Sequence, residues 1–244
     1  MAIARKLLSL LTLTGVVSCG SSGNGGNGGG GQVIQVGNNL DFAPTNGIAC
    51  QDGFPVQINA SFPQPFTGQG APSCLLITFF NGAYTGTGGT VVSANIRIGP
   101  VTGPMRFVKA RILYQSATGQ ACCSVQQYGP IFTPQANATT TVDLNFQMTE
   151  DHVPAPTDPT IVANDLVALE ILAPDVPIPG VWTNNGGSDL GLPNYLYLPA
   201  MTTRGLNAPT QNLRSDGSFS GFLPSYNLNY RVARAGSSIT SPEE

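Results

Sequence analysis

Short segments in which apolar and polar residues alternate with period two recur along this chain, and that pattern most restricts what it can fold into. Val92, Ala94, Ile96 and Ile98 alternate with Ser93, Asn95 and Arg97, and Val108, Ala110, Ile112 and Tyr114 with Lys109 and Arg111. Val142, Leu144, Phe146 and Met148 alternate with Asp143, Asn145 and Gln147, and Val167, Leu169 and Ile171 with Ala168 and Glu170. Val56 to Phe62 reads the same way, and Leu228, Tyr230 and Val232 close the series. Successive side chains of an extended backbone point to opposite faces, so each run predicts a half-buried strand. Cys74 to Phe80 is nearly continuous in apolar residues, as expected of a strand covered on both sides. The 30 Gly and 20 Pro supply the turns between runs, and no comparable window outside the N-terminus keeps helical spacing. Only 9% of residues are charged, against about 25% in ordinary soluble proteins, which excludes a coiled coil, a helix bundle or a charged disordered chain. The expected fold is all-β: an antiparallel β-sandwich, jelly-roll-like or Ig-like, of about 8 to 10 strands. It occupies residues 32–235, followed by a disordered tail over 236–244.

The N-terminus reads as an address. Arg5 and Lys6 precede an apolar run from Leu7 to Val17, and small residues follow. This is the pattern of a secretory signal peptide over residues 1–18, too short to span a bilayer that needs about 20 apolar residues. The junction Val16-Val17-Ser18-Cys19 resembles the lipobox of bacterial lipoproteins. That resemblance implies cleavage before Cys19, thioether-linked diacylglycerol on its sulfur and acylation of the new amine. Two or three acyl chains, at about 0.8 kcal/mol per buried methylene, make a lasting anchor where one is marginal. Gly20 rather than Asp after the cysteine favours the outer over the inner membrane. The stretch from Cys19 to Gly31 continues as a Gly/Ser/Asn tether that holds a domain off the membrane without fixing its orientation.

Loss of the leader removes Arg5 and Lys6, leaving 8 basic against 13 acidic side chains. That balance argues against nucleic acid as a partner. Four cysteines remain, Cys50, Cys74, Cys122 and Cys123; an even number in an exported chain points to two disulfides. Cys50–Cys74 is the favoured pair, with Cys122 and Cys123 joined to each other, and crossed pairings are the alternative.

From Gly89 to Leu172 the sequence resembles a domain of secreted and surface proteins of bacteria. The resemblance rests on Gly89-Thr90-Val91, Gly103-Pro104-Met105, Thr133-Pro134-Gln135-Ala136-Asn137 with Asn145-Phe146, and Asp165-Leu166-Val167-Ala168-Leu169. It implies an extracellular β-sandwich and brings no catalytic residues with it.

Chemistry-bearing residues are sparse. His152 is the single histidine, it lies in a loop-like setting, and no G-x-S-x-G elbow accompanies it. Asp143, Glu150, Asp151, Asp158, Asp165 and Glu170 are dense enough to consider for paired-carboxylate hydrolysis or for calcium, yet read mostly as solvated strand-edge or loop acids. Trp182, the only tryptophan, lies near Tyr195 and Tyr197, a candidate aromatic platform for sugar rings. Arg97, Lys109 and Arg111 form a candidate basic ladder if Ile98 pairs with Arg106 across the turn Gly99–Met105, which sets Ile96 opposite Val108 and Asn95 beside Lys109. Asp143 or Glu170 would then neutralise it. The reading is therefore an acyl-anchored envelope lipoprotein, without cofactor, metal or catalytic residues, displaying a β-sandwich for interaction or assembly. Its expected partners are the membrane and an envelope protein or glycan. The alternatives are a carbohydrate-binding module and, more remotely, a polysaccharide hydrolase.

Overall fold

The alternating runs become strands. In chain order they are β1 (Val33–Gly37), β2 (Cys74–Ile77), β3 (Gly89–Arg97), β4 (Met105–Gln115), β5 (Gln120–Tyr128), β6 (Thr139–Met148) and β7 (Val153–Ala155). Then follow β8 (Asp158–Ile171), β9 (Gly180–Trp182), β10 (Asn194–Tyr197), β11 (Leu213–Arg214), β12 (Gly217–Phe219), β13 (Phe222–Pro224) and β14 (Tyr226–Val232). The computed structural model describes residues 31–45, 47–53, 70–78, 88–115, 120–148, 153–155, 158–182, 194–198, 213–214, 216–219 and 221–233. For 112–115, 120–124, 153–155, 158–164, 213–214 and 217–219 it describes the backbone alone. Val56 to Phe62, His152, Glu150, Asp151 and the N-terminal segment with Cys19 lie outside the described residues. Nine of the strands have four or more residues, in line with the sequence expectation. The other five have two or three, too few to show a period of two.

Two sheets make the sandwich. One runs β1-β14-β3-β6; the other runs β11-β5-β4-β8-β2-β10-β12, with β7 beside β8; β9 and β13 pair separately. All the pairings are antiparallel. Phe107 of β4 meets Tyr226 of β14 edge-on at 5.5 Å between the sheets, and the Tyr226 hydroxyl reaches the Val167 carbonyl of β8 at 3.5 Å. β6 fits its forecast: Val142, Leu144, Phe146 and Met148 are buried, and Thr141, Asp143, Asn145 and Gln147 are exposed.

The larger sheet is covered on both faces, so its strands do not alternate. Leu166, Val167, Ala168 and Leu169 of β8 are all buried, as are Leu75, Leu76 and Ile77 of β2. This corrects the assignment of β4. Phe107 and Lys109 point at the four-stranded sheet, so Val108 and Ala110, equally buried, face the other way.

The expected β3–β4 hairpin is also overturned. β3 pairs with β14 and β6, while β4 pairs with β8 and β5, so residues 98–104 carry the chain from one sheet to the other. Pro100 and Pro104 have no N–H to donate to a ladder, which suits a crossover better than a hairpin. The segment is pinned by the Asn137 N–H to the Gly99 carbonyl at 3.0 Å and by the Thr102 hydroxyl to the Pro134 carbonyl at 2.6 Å. Gly103 fits where a Cβ would stand 2.4 Å from Val176 Cγ2.

A β-bulge explains a second departure. Val91, not Val92, is buried: Tyr230 pairs with Val91 and Asn229 with Ser93, leaving Val92 as the extra residue that shifts the parity of β3. At the end of the sandwich a single 3-10 turn, Cys50–Asp52, is tied to the start of β2 by the Cys50–Cys74 disulfide, both cysteines fully buried. The favoured pairing is the one formed. Cys122 and Cys123 occupy successive positions of β5, and their side chains lie outside the described residues.

Candidate functional site

Polarity in this body is divided between two environments. The first is internal and charged. Asp165 of β8 stands opposite Arg111 of β4, and its carboxylate takes Arg111 Nε at 2.9 Å and Lys109 Nζ at 3.0 Å with no exposure of its own side chain. On the opposite face Glu170, also fully buried, takes Arg106 Nε at 2.5 Å. Arg106 in turn lies 4.1 Å over the Tyr128 ring. Burial, reinforced by the Glu170 charge and partly offset by Arg106, raises the Tyr128 phenol above its ordinary 10.0. Tyr226, fully buried between the sheets, is raised further by the same desolvation, which a hydrogen bond with Thr78 partly opposes.

These positions revise the basic ladder. Arg97 is not beside Lys109 and Arg111: it lies on β3 in the other sheet and donates through Nη1 to the Leu40 carbonyl at 2.8 Å. The neutralising acids are Asp165 and Glu170, not Asp143, and both are buried rather than solvated. Five residues apart on one strand, they face opposite sides of the sheet and do not share a site. Lys109 also bonds the Gln147 carbonyl, and Gln127 Nε2 the Asn145 carbonyl at 3.3 Å, so the outer edge of β6 is partly sealed from the facing sheet.

The aromatic platform is likewise revised. Tyr195 and Tyr197 on β10 are fully buried and offer no ring face to a sugar. Trp182 on β9 is 36% exposed and packs edge-on against Phe222 at 5.3 Å, a plug for the small β9–β13 ribbon. Beside the crossover, Pro44, Ile98, Val101 and Pro179 line an apolar cleft of about 340 Å³.

The second environment is the outer face of the four-stranded sheet, where polarity is mostly neutral, exposed along β1 and β6 and buried at Asn227 and Ser93. Strand register builds it as three rows across four strands. Val33, Arg231, Thr90 and Gln147 form one row; Gln35, Asn229, Ser93 and Asp143 the next; Gly37, Asn227, Asn95 and Thr141 the third. The side chains bond to one another. Asn227 Oδ1 accepts from Gln35 Nε2 at 3.2 Å and from Asn95 Nδ2 at 2.8 Å, and Asn95 Oδ1 accepts from the Thr141 hydroxyl at 2.7 Å. Asn229 Nδ2 donates to Ser93 Oγ at 2.8 Å, and the Thr90 hydroxyl to Gln147 Oε1 at 3.0 Å. Asn227 Nδ2 donates to the Asn38 carbonyl at 2.6 Å, which fixes the amide on which the third row depends. Gly37, at φ +107, sits against Asn227, where a Cβ would come within 3.1 Å of the asparagine Cα. Gln35, Thr141, Asp143 and Gln147 remain exposed.

Of these residues the sequence marks only Asp143, as one of several acids, and does not bring the others together as a site. The available signal was the identity of the polar partners in the alternating runs: amides and hydroxyls, with few charges. It was missed because a wet strand face accepts any polar residue.

Among the described residues no helix is long and apolar enough to cross a membrane, and no group of three or more His, Cys, Asp and Glu gathers to hold a metal. Comparison with protein-family models, with curated proteins and with solved structures gives no match, so the site is read from its own geometry.

Proposed function

We propose that this chain is an exported envelope lipoprotein, anchored through acyl chains on Cys19, whose β-sandwich is a non-enzymatic module for interaction or assembly. The observation that carries the reading is the buried Cys50–Cys74 disulfide, which suits an oxidising compartment and so agrees with the leader and the lipobox-like junction ahead of it. Two further observations support it. The described buried acids serve as partners for basic side chains in the sheet, and the outer face of the smaller sheet presents exposed polar side chains on β1 and β6 joined through a hydrogen-bonded amide array. The Gly/Ser/Asn tether ahead of Gln32 gives such a body reach, and Gly20 favours the outer membrane of a diderm cell.

The test is fractionation of cells expressing the full chain. The natural protein is expected in the membrane pellet and soluble only with detergent, and Cys19→Ser is expected to move it out of that pellet. Membrane retention of Cys19→Ser, or an intact initiator methionine on the natural protein, overturns the anchor.

A further inference from the structure

We infer that the outer face of the four-stranded sheet is a binding surface for a neutral polysaccharide; this deepens the interaction reading by naming its surface and the chemistry of its partner. Three observations converge on one occupant.

The first is chemical. A sugar ring offers hydroxyls, each both donor and acceptor, and this face offers the same mixture through Gln35, Asn95, Asn229, Thr141 and Gln147. The second is charge. Across the three rows only Arg231 and Asp143 carry charge, one of each sign, so the face has no net field to select an anionic or cationic polymer. The third is order. The amides and hydroxyls are held by one another across all four strands, so a ligand meets side chains whose rotamers are already fixed, and the entropy cost of binding is small. Neighbouring rows and strands repeat on the scale of a pyranose ring, with strands about 4.8 Å apart, so an extended chain meets equivalent groups as it crosses the sheet. Behind the face, Ala94, Ile96, Leu228 and Val142 are packed into the core.

The surface is distinct from Trp182, which lies on the separate β9–β13 ribbon. That separation makes the inference testable against an aromatic-stacking mode.

The experiment is co-sedimentation of the full chain, solubilised in detergent, with four insoluble neutral polysaccharides: cellulose, chitin, β-1,3-glucan and mannan. The natural protein is expected to sediment with at least one of them, and the retained fraction to hold up at about 0.5 M salt because no ion pairs carry the contact. Thr141→Lys combined with Gln35→Lys, both at exposed positions, is expected to weaken retention about tenfold, equivalent to about 1.4 kcal/mol. Trp182→Ala is expected to leave it unchanged. Thermal unfolding of each variant separates loss of the surface from loss of the fold, and Thr141→Ala, which removes one hydroxyl, gives a smaller decrease in the same direction. Failure of the natural protein to sediment with all four polymers overturns the inference, as does retention abolished by Trp182→Ala and unaffected by the double lysine variant. Membrane release of Cys19→Ser is read independently, so the anchor can stand while this surface assignment falls.

Discussion

The two sheets of this sandwich handle polarity in opposite ways. In the larger sheet, β4 and β8 carry Arg106, Lys109 and Arg111 against Glu170 and Asp165, and both acids are fully buried. In the smaller sheet, β14, β3 and β6 carry Asn227, Asn229, Asn95, Ser93 and Thr141 on the outer face, where Thr141 is exposed, Asn95 and Asn229 are half-buried and Asn227 and Ser93 are buried, all joined by amide and hydroxyl hydrogen bonds. The difference follows from coverage. A sheet buried on both faces tolerates a charge only beside its opposite, because an unpaired buried ion carries a desolvation cost of several kcal/mol. A sheet with one wet face is free to choose polar groups for another purpose. The comparison teaches that among the described residues the buried acids are paired with basic side chains across strands, whereas the outer face of the smaller sheet is held together by neutral amides and hydroxyls.

Three measurements break or sharpen that contrast, beginning with the largest effect. Glu170→Ala strips Arg106 of its partner inside the larger sheet and is expected to cost about 3 to 5 kcal/mol in denaturant unfolding. Replacing both partners, Arg106→Met with Glu170→Leu, should recover most of that loss, because two apolar side chains leave no orphaned charge. If Glu170→Ala proves as mild as a surface change, the large sheet is not the dry interior described here.

Alkaline titration comes next and reads the interface between the sheets. Tyr226 ionises near 10.0 when unfolded and is held above that value in the fold. Above pH 10 the unfolded chain therefore releases a proton that the folded chain keeps, and stability falls as pH rises, by about 1.4 kcal/mol per pH unit for one such group. Below pH 10 this contribution is fully present. Phenolate absorbance should show Tyr226 appearing only together with unfolding, and Tyr226→Phe should flatten the alkaline limb. Tyr226 ionising near pH 10 in a protein that remains folded would falsify the burial argument.

The smallest effect belongs to the wet face. Asn95→Ala removes a donor to Asn227 and an acceptor for Thr141; exposed Thr141 has water at hand, and buried Asn227 keeps Gln35 as donor to the same oxygen, so a loss of about 0.5 to 1.5 kcal/mol is expected. Thr141→Val, at an exposed position, should stay within about 0.5 kcal/mol. A cost near that of Glu170→Ala would turn the amide array into a structural device and remove the contrast.

Legibility in the sequence followed coverage as well. β6, with one wet face, was readable residue by residue, since water and core sort the side chains along it. β3 was readable from Ala94 onward and shifted by one before it, because a bulge is decided by partner strands and leaves no mark in the local alternation. β4 gave strand identity but the wrong inside and outside, and β8 gave the right inner face but not the burial of Ala168 and Glu170 behind it, since both faces of the sheet are buried. The expected hairpin after Ile98 failed for a related reason: period two indicates where a strand lies and is silent on which sheet it joins. The candidate site suffered most, because Gln35, Asn95, Thr141 and Asn227 are scattered over 193 sequence positions and meet only through register across β1, β14, β3 and β6.

By itself the sequence determined the all-β class, the places of β2, β3, β4, β6, β8 and β14 but not of β5, and the Cys50–Cys74 pairing as the favoured one, because side-chain period and cysteine number are local properties of a chain. Tertiary structure alone decided which acids are buried, that Tyr195 and Tyr197 are core residues, that Arg97 is separated from Lys109 and Arg111, and that four strands distant in sequence share one hydrogen-bonded face. Such facts depend on which strand lies beside which and on what covers each sheet, and long-range packing, not local propensity, fixes both.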